Sequence, residues 1–258
     1  MLQASVVQFP VTMDLAANLA RLTEALGVLE RGGLAVAPEG ALSGYAPLPG
    51  FVAELDNAAT WRAIEATRAR VAELGLHLVV GACVSVDGLW RNASFYMGPN
   101  GELHRYDKIN LAQSERGDFQ PGDRLPVFEL AHDGGTLRLG IQMCREIRYP
   151  EQWRALAAQG AQVIAYVNNA IGGANGHEVW RAHVISRAAE TQRFVLGANN
   201  AAPDQTCPSL IVAPSGQVLA QVEIGAEASI HAGLDLSLVS DWVLSQARDD
   251  VVSVDLRG

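Results

Sequence analysis

The stretch Leu139-Gly-Ile-Gln-Met-Cys144-Arg-Glu-Ile-Arg-Tyr-Pro150-Glu151 decides how this chain folds. Its apolar start indicates a buried strand that ends on Cys144, and Pro150 suits the first position of a helix. Charged residues occupy the turn between them. A cysteine at a strand end, before a charged turn and a helix, is a position where a reactive thiol is expected. Such a thiol needs partner groups, which other strand ends can supply.

Strand, helix and strand follow one another on both sides of this stretch. An apolar run over Ala4–Phe9 precedes leucines at helical spacing after Asp14, and a buried strand over Leu34–Ala37 then leads to Glu39. Beyond Cys144 the same order recurs, with a helix over Pro150–Gln159, a strand over Gln162–Val167, a helix over His177–Thr191 and a strand over Phe194–Ala198.

An antiparallel meander lies between the two runs. Two apolar segments, Leu76–Val86 and Trp90–Met97, flank a hairpin turn, and a third segment leads to Lys108. Two β-α-β runs separated by meanders predict an α/β protein with two sheets covered by helices, a four-layer α-β-β-α sandwich. No linker or low-complexity tract is present, so residues 1–258 are predicted to form a single domain, with a short helix near Leu238–Ala247.

The composition restricts the partners of the protein. The 258 residues are 49% hydrophobic and carry a formal net charge of -9, which disfavours nucleic acid and anionic membranes, because phosphate-rich surfaces require clustered Lys and Arg. The sequence shows no signal-like start and no apolar run near the roughly 18 to 20 residues of a membrane span. Its three cysteines have neither zinc-like nor disulfide spacing, so we expect a cytoplasmic protein without a bound metal.

Three residues, Glu39, Lys108 and Cys144, each leave a predicted strand. A thiol needs a base or a nearby positive charge to attack a carbonyl at neutral pH, and the resulting oxyanion needs a donor. A carboxylate, an ammonium and a thiol together meet these needs. Taken singly, each residue has a simpler interpretation, as a surface charge or a core cysteine. Cys83 and Cys207 lie in apolar segments predicted as strands and are expected to be inert.

The sequence around these residues resembles a known family. Three blocks are similar in order and spacing to the signature blocks of the nitrilase superfamily of carbon–nitrogen hydrolases: Ala37-Pro-Glu39-Gly-Ala-Leu-Ser-Gly-Tyr45, Tyr106-Asp-Lys108-Ile-Asn-Leu111 and Cys144-Arg-Glu-Ile-Arg-Tyr-Pro-Glu151. The resemblance covers essentially the whole chain, including Arg187-Ala-Ala-Glu190 and Pro214-Ser-Gly216. It implies an α-β-β-α sandwich with a Glu-Lys-Cys site, which agrees with the layers predicted from the strand and helix pattern.

The resemblance also implies roles for individual residues. By position, Cys144 is the nucleophile, Glu39 the general base and Lys108 the cation that stabilises the oxyanion, with the backbone N–H of Arg145 as a second donor. Glu115, seven residues after Lys108, resembles a second acid beside the site in this family. We expect an enzyme without a cofactor. Because family members pair their sandwiches across the helix layers, we also expect a homodimer or a higher homo-oligomer.

The function that follows is hydrolysis of a non-peptide C–N bond in a small linear amide or carbamoyl compound, through a cysteine thioester, with release of ammonia and a carboxylic acid. The sequence lacks the Cys-Trp-Glu block of true nitrilases, which favours an amide over a nitrile. Three alternatives stay open: an N-acyltransferase of the same fold, a nitrile hydrolase and a catalytically silent scaffold. Asn110 stands where many members have His, and Arg145-Glu146 where many have Tyr-Asp, which weakens any inference of the substrate from close subfamilies.

Four residues are candidates for contact with the substrate. Tyr45 is the last residue of the first block, Arg145 could pair with a carboxylate on the substrate, and Asn168 and Asn169 follow a strand and could line the floor of the pocket. Each also has a structural interpretation, such as packing for the tyrosine or turn capping for the asparagines.

Two further features are interpreted as structural. Gly172-Gly-Ala-Asn-Gly176 precedes a helix, but it does not match the GxGxxG pattern of a dinucleotide-binding turn. Arg148 lies in the charged turn after the cysteine, and we expect it to form a salt bridge with Glu151 or Glu190.

Overall fold

The computed structural model describes residues 1–132, 135–172, 176–248 and 250–253. The strands are β1 (Leu2–Gln8), β2 (Leu34–Val36), β3 (His77–Val86), β4 (Leu89–Met97), β5 (Leu103–Asp107), β6 (Val127–His132), β7 (Gly135–Met143), β8 (Val163–Val167), β9 (Phe194–Ala198), β10 (Leu210–Val212), β11 (Val218–Gln221) and β12 (Ala228–Leu234). The α-helices are α1 (Leu15–Gly27), α2 (Asn57–Leu74), α3 (Pro150–Ala158) and α4 (His177–Thr191). In the described ranges, no helix combines the length and apolar character that crossing a membrane requires. The glycine-rich pattern over Gly172–Gly176 lies mostly outside the described residues.

The two sheets have matching internal orders. One sheet runs β12-β1-β2-β3-β4-β5 and the other runs β11-β10-β9-β8-β7-β6. In each sheet three neighbouring strands are parallel and are connected through helices, α1 and α2 in the first sheet and α3 and α4 in the second. Parallel neighbours require such crossovers, whereas the antiparallel pairs β3–β4 and β9–β10 are consecutive in the chain, and β12 comes from the opposite end of the chain to pair with β1.

Apolar side chains fill three layers between the elements. Residues of both sheets meet in the central layer, among them Val6, Val36, Val79, Ile141, Ala165 and Leu196. The helices cover the outer faces through Leu22, Leu26, Ile64 and Val71 on one side and Trp153, Leu156, Val184 and Ala188 on the other. Burial of these apolar surfaces is the main force that holds the layers together. The four-layer α-β-β-α sandwich predicted from the sequence is therefore confirmed.

The register of the parallel strands brings polar strand ends to one edge. Met143, the last residue of β7, lies opposite Val167, the last residue of β8. Cys144 and Asn168 therefore leave neighbouring strands side by side. The backbone N–H of Glu39 donates to the Asn168 carbonyl at 3.0 Å, which joins this edge to the end of β2 in the other sheet. The active-site candidates thus collect where the two sheets face each other.

The segment after β12 differs from the prediction. Instead of an α-helix over Leu238–Ala247, the chain forms 3₁₀ turns at Leu236–Leu238 and Leu244–Gln246. In this segment a serine side chain takes a hydrogen bond that a helix would use: the backbone N–H of Trp242 donates to Ser240 Oγ at 3.0 Å. Such local hydrogen bonds compete with those of a helix, so the predicted helix is wrong.

Candidate active site

Glu39 follows β2, and its carboxylate is fully buried. Its Oε1 accepts hydrogen bonds from Lys108 Nζ at 2.9 Å and Asn92 Nδ2 at 2.7 Å, and its Oε2 accepts from the backbone N–H of Asn169 at 2.9 Å. Strand β3 passes so close that only glycine fits beside it, because a Cβ on Gly81 would lie 2.5 Å from the Cα of Glu39. The position of the acid is therefore fixed by both its backbone and its side chain.

Lys108 follows β5 and bridges two carboxylates. Its buried ammonium lies 2.9 Å from Glu39 Oε1 and 2.8 Å from Glu115 Oε1. Asn92 Nδ2 also donates to Glu115 at 2.7 Å, and the hydroxyl of Tyr45 donates to it at 3.0 Å. The structure thus places Glu115 beside the ammonium and Tyr45 against Glu115, so the tyrosine supports the second acid.

The charges of this cluster distinguish the two acids. Burial raises the pKa of Glu39, and the attraction of Lys108 only partly offsets this. Burial also opposes ionisation of Glu115, but Lys108 and four hydrogen bonds hold its pKa below the usual value. Burial alone would lower the pKa of Lys108, yet the two carboxylates raise it well above the ordinary range. The cluster contains a stable cation, a stable anion and one acid, Glu39, that can take up a proton.

Cys144 opens the 3₁₀ turn Cys144–Arg148 directly after β7. Its backbone has φ 32°, in the left-handed region that residues with a Cβ rarely adopt and that is often found at functional sites. Its side chain is partly exposed, whereas Cys83 and Cys207 are buried. Cys207 precedes β10 and is not part of a strand, contrary to the sequence prediction. Of the three cysteines, Cys144 is the one that is not fully buried.

Asn169 joins the acid to the thiol through its backbone. Its N–H donates to Glu39 Oε2 at 2.9 Å, and its carbonyl oxygen lies 3.8 Å from Cys144 Sγ, which donates toward it. Desolvation, followed by the negative charge of Glu39, raises the pKa of the Cys144 thiol. The raised pKa favours a protonated thiol in the resting protein, and the backbone of Asn169 links this thiol to the Glu39 carboxylate.

Glu146 holds the turn that carries Cys144, a role that the sequence did not reveal. Its carboxylate is fully buried. It accepts hydrogen bonds of 2.7 to 3.1 Å from the hydroxyl of Tyr106 and from the backbone N–H groups of Ile109, Asn110 and Met143. Two of these donors come directly after Lys108 in the chain. Glu146 therefore connects the segment that carries the ammonium to the turn that carries the thiol.

Arg145 and Asn168 lie differently with respect to the site. The backbone N–H of Arg145 is in the first turn of the 3₁₀ segment, where N–H groups have no partner within the helix. Its side chain is exposed and makes no hydrogen bond or ion pair to other described residues. Asn168 is fully buried, and its Nδ2 donates to the Tyr166 carbonyl at 3.3 Å. The backbone of Asn168 positions Glu39, whereas Arg145 presents a guanidinium to solvent beside the nucleophile.

Arg148 contacts helix α4 instead of an acid. Its guanidinium lies over the ring of Trp180, 5.2 Å from the centroid, a cation–π arrangement. Glu190 is paired with Arg187 at 2.7 Å, and no ion pair joins Arg148 to Glu151 within the described ranges. The salt bridge predicted for Arg148 is therefore wrong, although its assignment as a structural residue agrees with these contacts.

Asn92 is a residue of the site that the sequence did not identify. It lies in β4, where its Nδ2 donates to both Glu39 and Glu115 and its carbonyl accepts the N–H of Lys108 at 2.9 Å. This position depends on the pairing of β4 with β5, in which Ala93 lies opposite Asp107. In the sequence, Asn92 is visible only as a polar amide within an otherwise apolar strand, and this pattern alone does not indicate a functional site.

Two surface cavities have linings that do not include the three candidate catalytic residues. One of about 490 Å³ is lined in part by Arg138 and Arg193, and another of about 600 Å³ by Arg91 and Arg105. Neither is lined by the acid, the ammonium or the thiol. We therefore locate the site by the convergence of reactive groups and not by the size of a cavity.

Comparison with known proteins identifies the family of the chain. The family model described as carbon-nitrogen hydrolase matches residues 3–243, and the chain belongs to this family. An (R)-stereoselective amidase of Pseudomonas sp is 32% identical, over 80% of this chain and 75% of that protein. The omega-amidase NIT2 of Danio rerio is 28% identical, over 97% of this chain and 96% of that protein. The nitrilase of Pyrococcus abyssi is 29% identical, over 69% of this chain and 66% of that protein.

Solved structures of amidases have the same fold. A glutamate-to-glutamine variant of the amidase from Nesterenkonia sp. AN1 has a TM-score of 0.83 and 22% sequence identity, over 97% of this chain and 98% of that chain. That structure shows the product of Michael addition of acrylamide at its active-site cysteine. The resemblance to the nitrilase superfamily, inferred above from three sequence blocks, is confirmed.

Proposed function

We propose that this protein is an amidase that hydrolyses a small linear amide or carbamoyl compound through a thioester on Cys144. One observation carries the proposal: the backbone of Asn169 contacts both the Glu39 carboxylate and the Cys144 thiol, while Lys108 contacts the same carboxylate. Base, nucleophile and cation therefore converge at one point, as nucleophilic catalysis requires. The amidases among its relatives support the choice of reaction.

In the first half of the proposed reaction, Glu39 accepts the thiol proton as Cys144 Sγ attacks the amide carbonyl carbon. The negative charge that forms on the oxygen is stabilised by the Lys108 ammonium and the backbone N–H of Arg145. Glu39 then gives its proton to the departing nitrogen, the C–N bond breaks and ammonia leaves. An acyl thioester remains on Cys144. The raised pKa of Glu39 suits this exchange, because the same group must both accept and release the proton.

In the second half, Glu39 takes a proton from a water molecule, whose oxygen attacks the thioester carbonyl. The same two donors stabilise the second oxyanion. The C–S bond breaks, the sulfur recovers a proton from Glu39 and the carboxylic acid is released. Glu115 stays ionised throughout, and its charge offsets that of Lys108 in a space from which water is excluded.

The experiment that tests the proposal is an assay of ammonia release from a panel of aliphatic amides, ureido acids and nitriles, with Cys144→Ala as the control. We expect release from one or more amides by the wild type and none by the variant. Equal release by the variant would refute the mechanism. Addition of hydroxylamine separates a hydrolase from an acyltransferase, because a hydrolase forms the free acid when no amine is added, whereas an acyltransferase requires the amine.

A further inference from the structure

Three buried amide side chains, those of Asn169, Asn200 and Gln205, meet beside the catalytic residues. Which end of each amide is oxygen and which is nitrogen can be assigned from one backbone N–H, because an N–H can only donate a hydrogen bond. The N–H of Val11 donates to Asn200 Oδ1 at 2.9 Å, so Asn200 turns its Nδ2 toward Asn169, whose Oδ1 accepts at 3.2 Å. Gln205 Nε2 donates to the same Oδ1 at 3.0 Å. The roles of the amide oxygens and nitrogens are thereby determined.

This arrangement leaves one donor and one acceptor unused. Asn169 Nδ2 and Gln205 Oε1 are both shielded from solvent and have no hydrogen-bond partner in the described part of the chain. Reversing an amide does not remove the mismatch, because a reversed Asn169 would turn its NH₂ toward two other NH₂ groups. An unpaired buried polar group is costly, and these two lie on side chains that are hydrogen-bonded to each other, so one bound group that carries a donor and an acceptor can satisfy both.

The location of the pair indicates what the partner is. The backbone of Asn169 contacts both Glu39 and Cys144 Sγ, so its side chain starts within the catalytic centre. A group that satisfies both atoms must present an acceptor to Asn169 and a donor to Gln205. A carboxamide or ureido group carries the two on separate atoms, which suits two partner atoms on different side chains, whereas a hydroxyl must offer both from one oxygen, a carboxylate carries acceptors alone and an alkyl group carries neither.

We propose that Asn169 and Gln205 bind a second carboxamide or ureido group at the far end of the acyl chain. The preferred substrates are then short linear molecules with an amide to be cleaved and another amide or ureide at the opposite end. This inference rests on the proposed function and adds to it the chemical class of the acyl group. Sites built to hydrogen-bond a polar substrate group reject analogues that lack it, because their own buried groups stay unpaired.

The first test compares substrates of equal length with the wild-type protein. Ammonia release is measured from malonamide, succinamide and glutaramide, from the monoamide acids of the same length and from the matched alkyl amides. We expect kcat/KM for at least one diamide to exceed that of both matched compounds by about tenfold or more. A symmetric diamide has two cleavable amides, which alone doubles its kcat/KM relative to a monoamide. The expected ratio is well above this factor of two. A preference for the alkyl or the acid-ended substrate would overturn the inference.

The second test removes the Gln205 amide. Gln205→Met keeps the approximate length of the side chain but lacks both Oε1 and the Nε2 that donates to Asn169, and we expect it to lower the kcat/KM ratio of diamide to alkyl amide by about tenfold. The matched control is Gln152→Met, because Gln152 in α3 is also buried and its Oε1 also has no partner. The control should keep the wild-type ratio. An unchanged ratio in folded Gln205→Met would contradict the inference, and if that variant does not fold, the substrate series decides.

The outcomes distinguish this inference from the function on which it rests. If the wild type hydrolyses no amide, the proposed function itself fails. If it hydrolyses amides without regard to the group at the far end, only the pairing with Asn169 and Gln205 is refuted, and the unused donor and acceptor are then filled by ordered water.

Discussion

Glu146 accepts a hydrogen bond from the backbone N–H of Ile109 at 2.9 Å. Glu146, two residues after Cys144, is thus hydrogen-bonded to Ile109, the residue directly after Lys108. The same carboxylate accepts the N–H of Met143 at 2.8 Å, just before the nucleophile. The distance between thiol and ammonium therefore depends on a side chain that does not take part in the chemistry, and Glu146 is a positioning residue.

Replacement of this carboxylate tests its role. In Glu146→Gln, an NH₂ group must face backbone N–H donors, and each unsatisfied donor costs about 1–3 kcal/mol. We expect a lower Tm and a kcat reduced by about ten- to a hundredfold, since small displacements of reacting groups have effects of this size. Tyr106→Phe removes one of the four donors and should have a much smaller effect on both. Wild-type kcat in Glu146→Gln would show that the contact does not position the site.

The pH dependence of the reaction reports on Glu39. Because Glu39 must be ionised to accept the thiol proton, kcat/KM should fall as the pH falls through its pKa, which burial raises above the ordinary value of a glutamate. The charge of Glu115 adds to this increase. Glu115→Gln should therefore lower the pKa of Glu39 and move the acid limb of the profile to lower pH. Asp123→Asn, an exposed acid in the same loop, is the control and should leave the profile unchanged.

Loss of the Lys108 ammonium should affect stability as well as activity. Lys108→Met leaves two buried carboxylates without a cation, and breaking a buried ion pair in this way costs about 3–5 kcal/mol. Without the cation both acids have raised pKa values in the folded state, so the folded protein binds protons more readily and the variant should gain stability as the pH falls. Urea unfolding at several pH values measures this. Adding Glu115→Gln should recover part of the stability and none of the activity.

The sequence predicted those catalytic groups that stand at strand ends. Glu39, Lys108 and Cys144 each leave a predicted strand, which made them candidates, and the resemblance of the surrounding blocks to the nitrilase superfamily implied that they meet in one site. Asn92 and Glu146 could not be found in this way. The role of Asn92 depends on the register of β4 against β5, and that of Glu146 on a carboxylate that reaches donors almost forty residues earlier in the chain. Both relationships are created by tertiary contacts.

The errors of prediction have the same origin. Arg148 was assigned an acidic partner from charge alone, but the helix packing brings the ring of Trp180 beneath its guanidinium. The segment over Leu238–Ala247 has apolar residues at helical spacing, but serine side chains bind its backbone and the helix does not form. Patterns of residue type identify which elements can form, whereas these outcomes depend on competing contacts.

The assembly expected from the resemblance gives a further prediction. We propose a homodimer formed across the helix layers, and light scattering should then give the mass of at least two chains of 27.5 kDa. Val179 on α4 is 48% exposed, and Val179→Glu should weaken such an interface. Leu48→Glu is the control, because Leu48 is 65% exposed but lies in the loop before α2 and not on a helix. A wild-type mass of one chain would contradict the proposal.

The central claim, that Cys144 carries the acyl group of an amide substrate, is tested most directly by mass spectrometry of the protein during turnover. The reaction is quenched with acid within milliseconds, and the intact mass and the peptides are then determined. The proposed mechanism predicts a mass increase equal to the acyl group minus one hydrogen, on the peptide that contains Cys144, and no adduct in Cys144→Ala. Continued turnover in that variant, or an adduct on Cys83 or Cys207 instead, would contradict it.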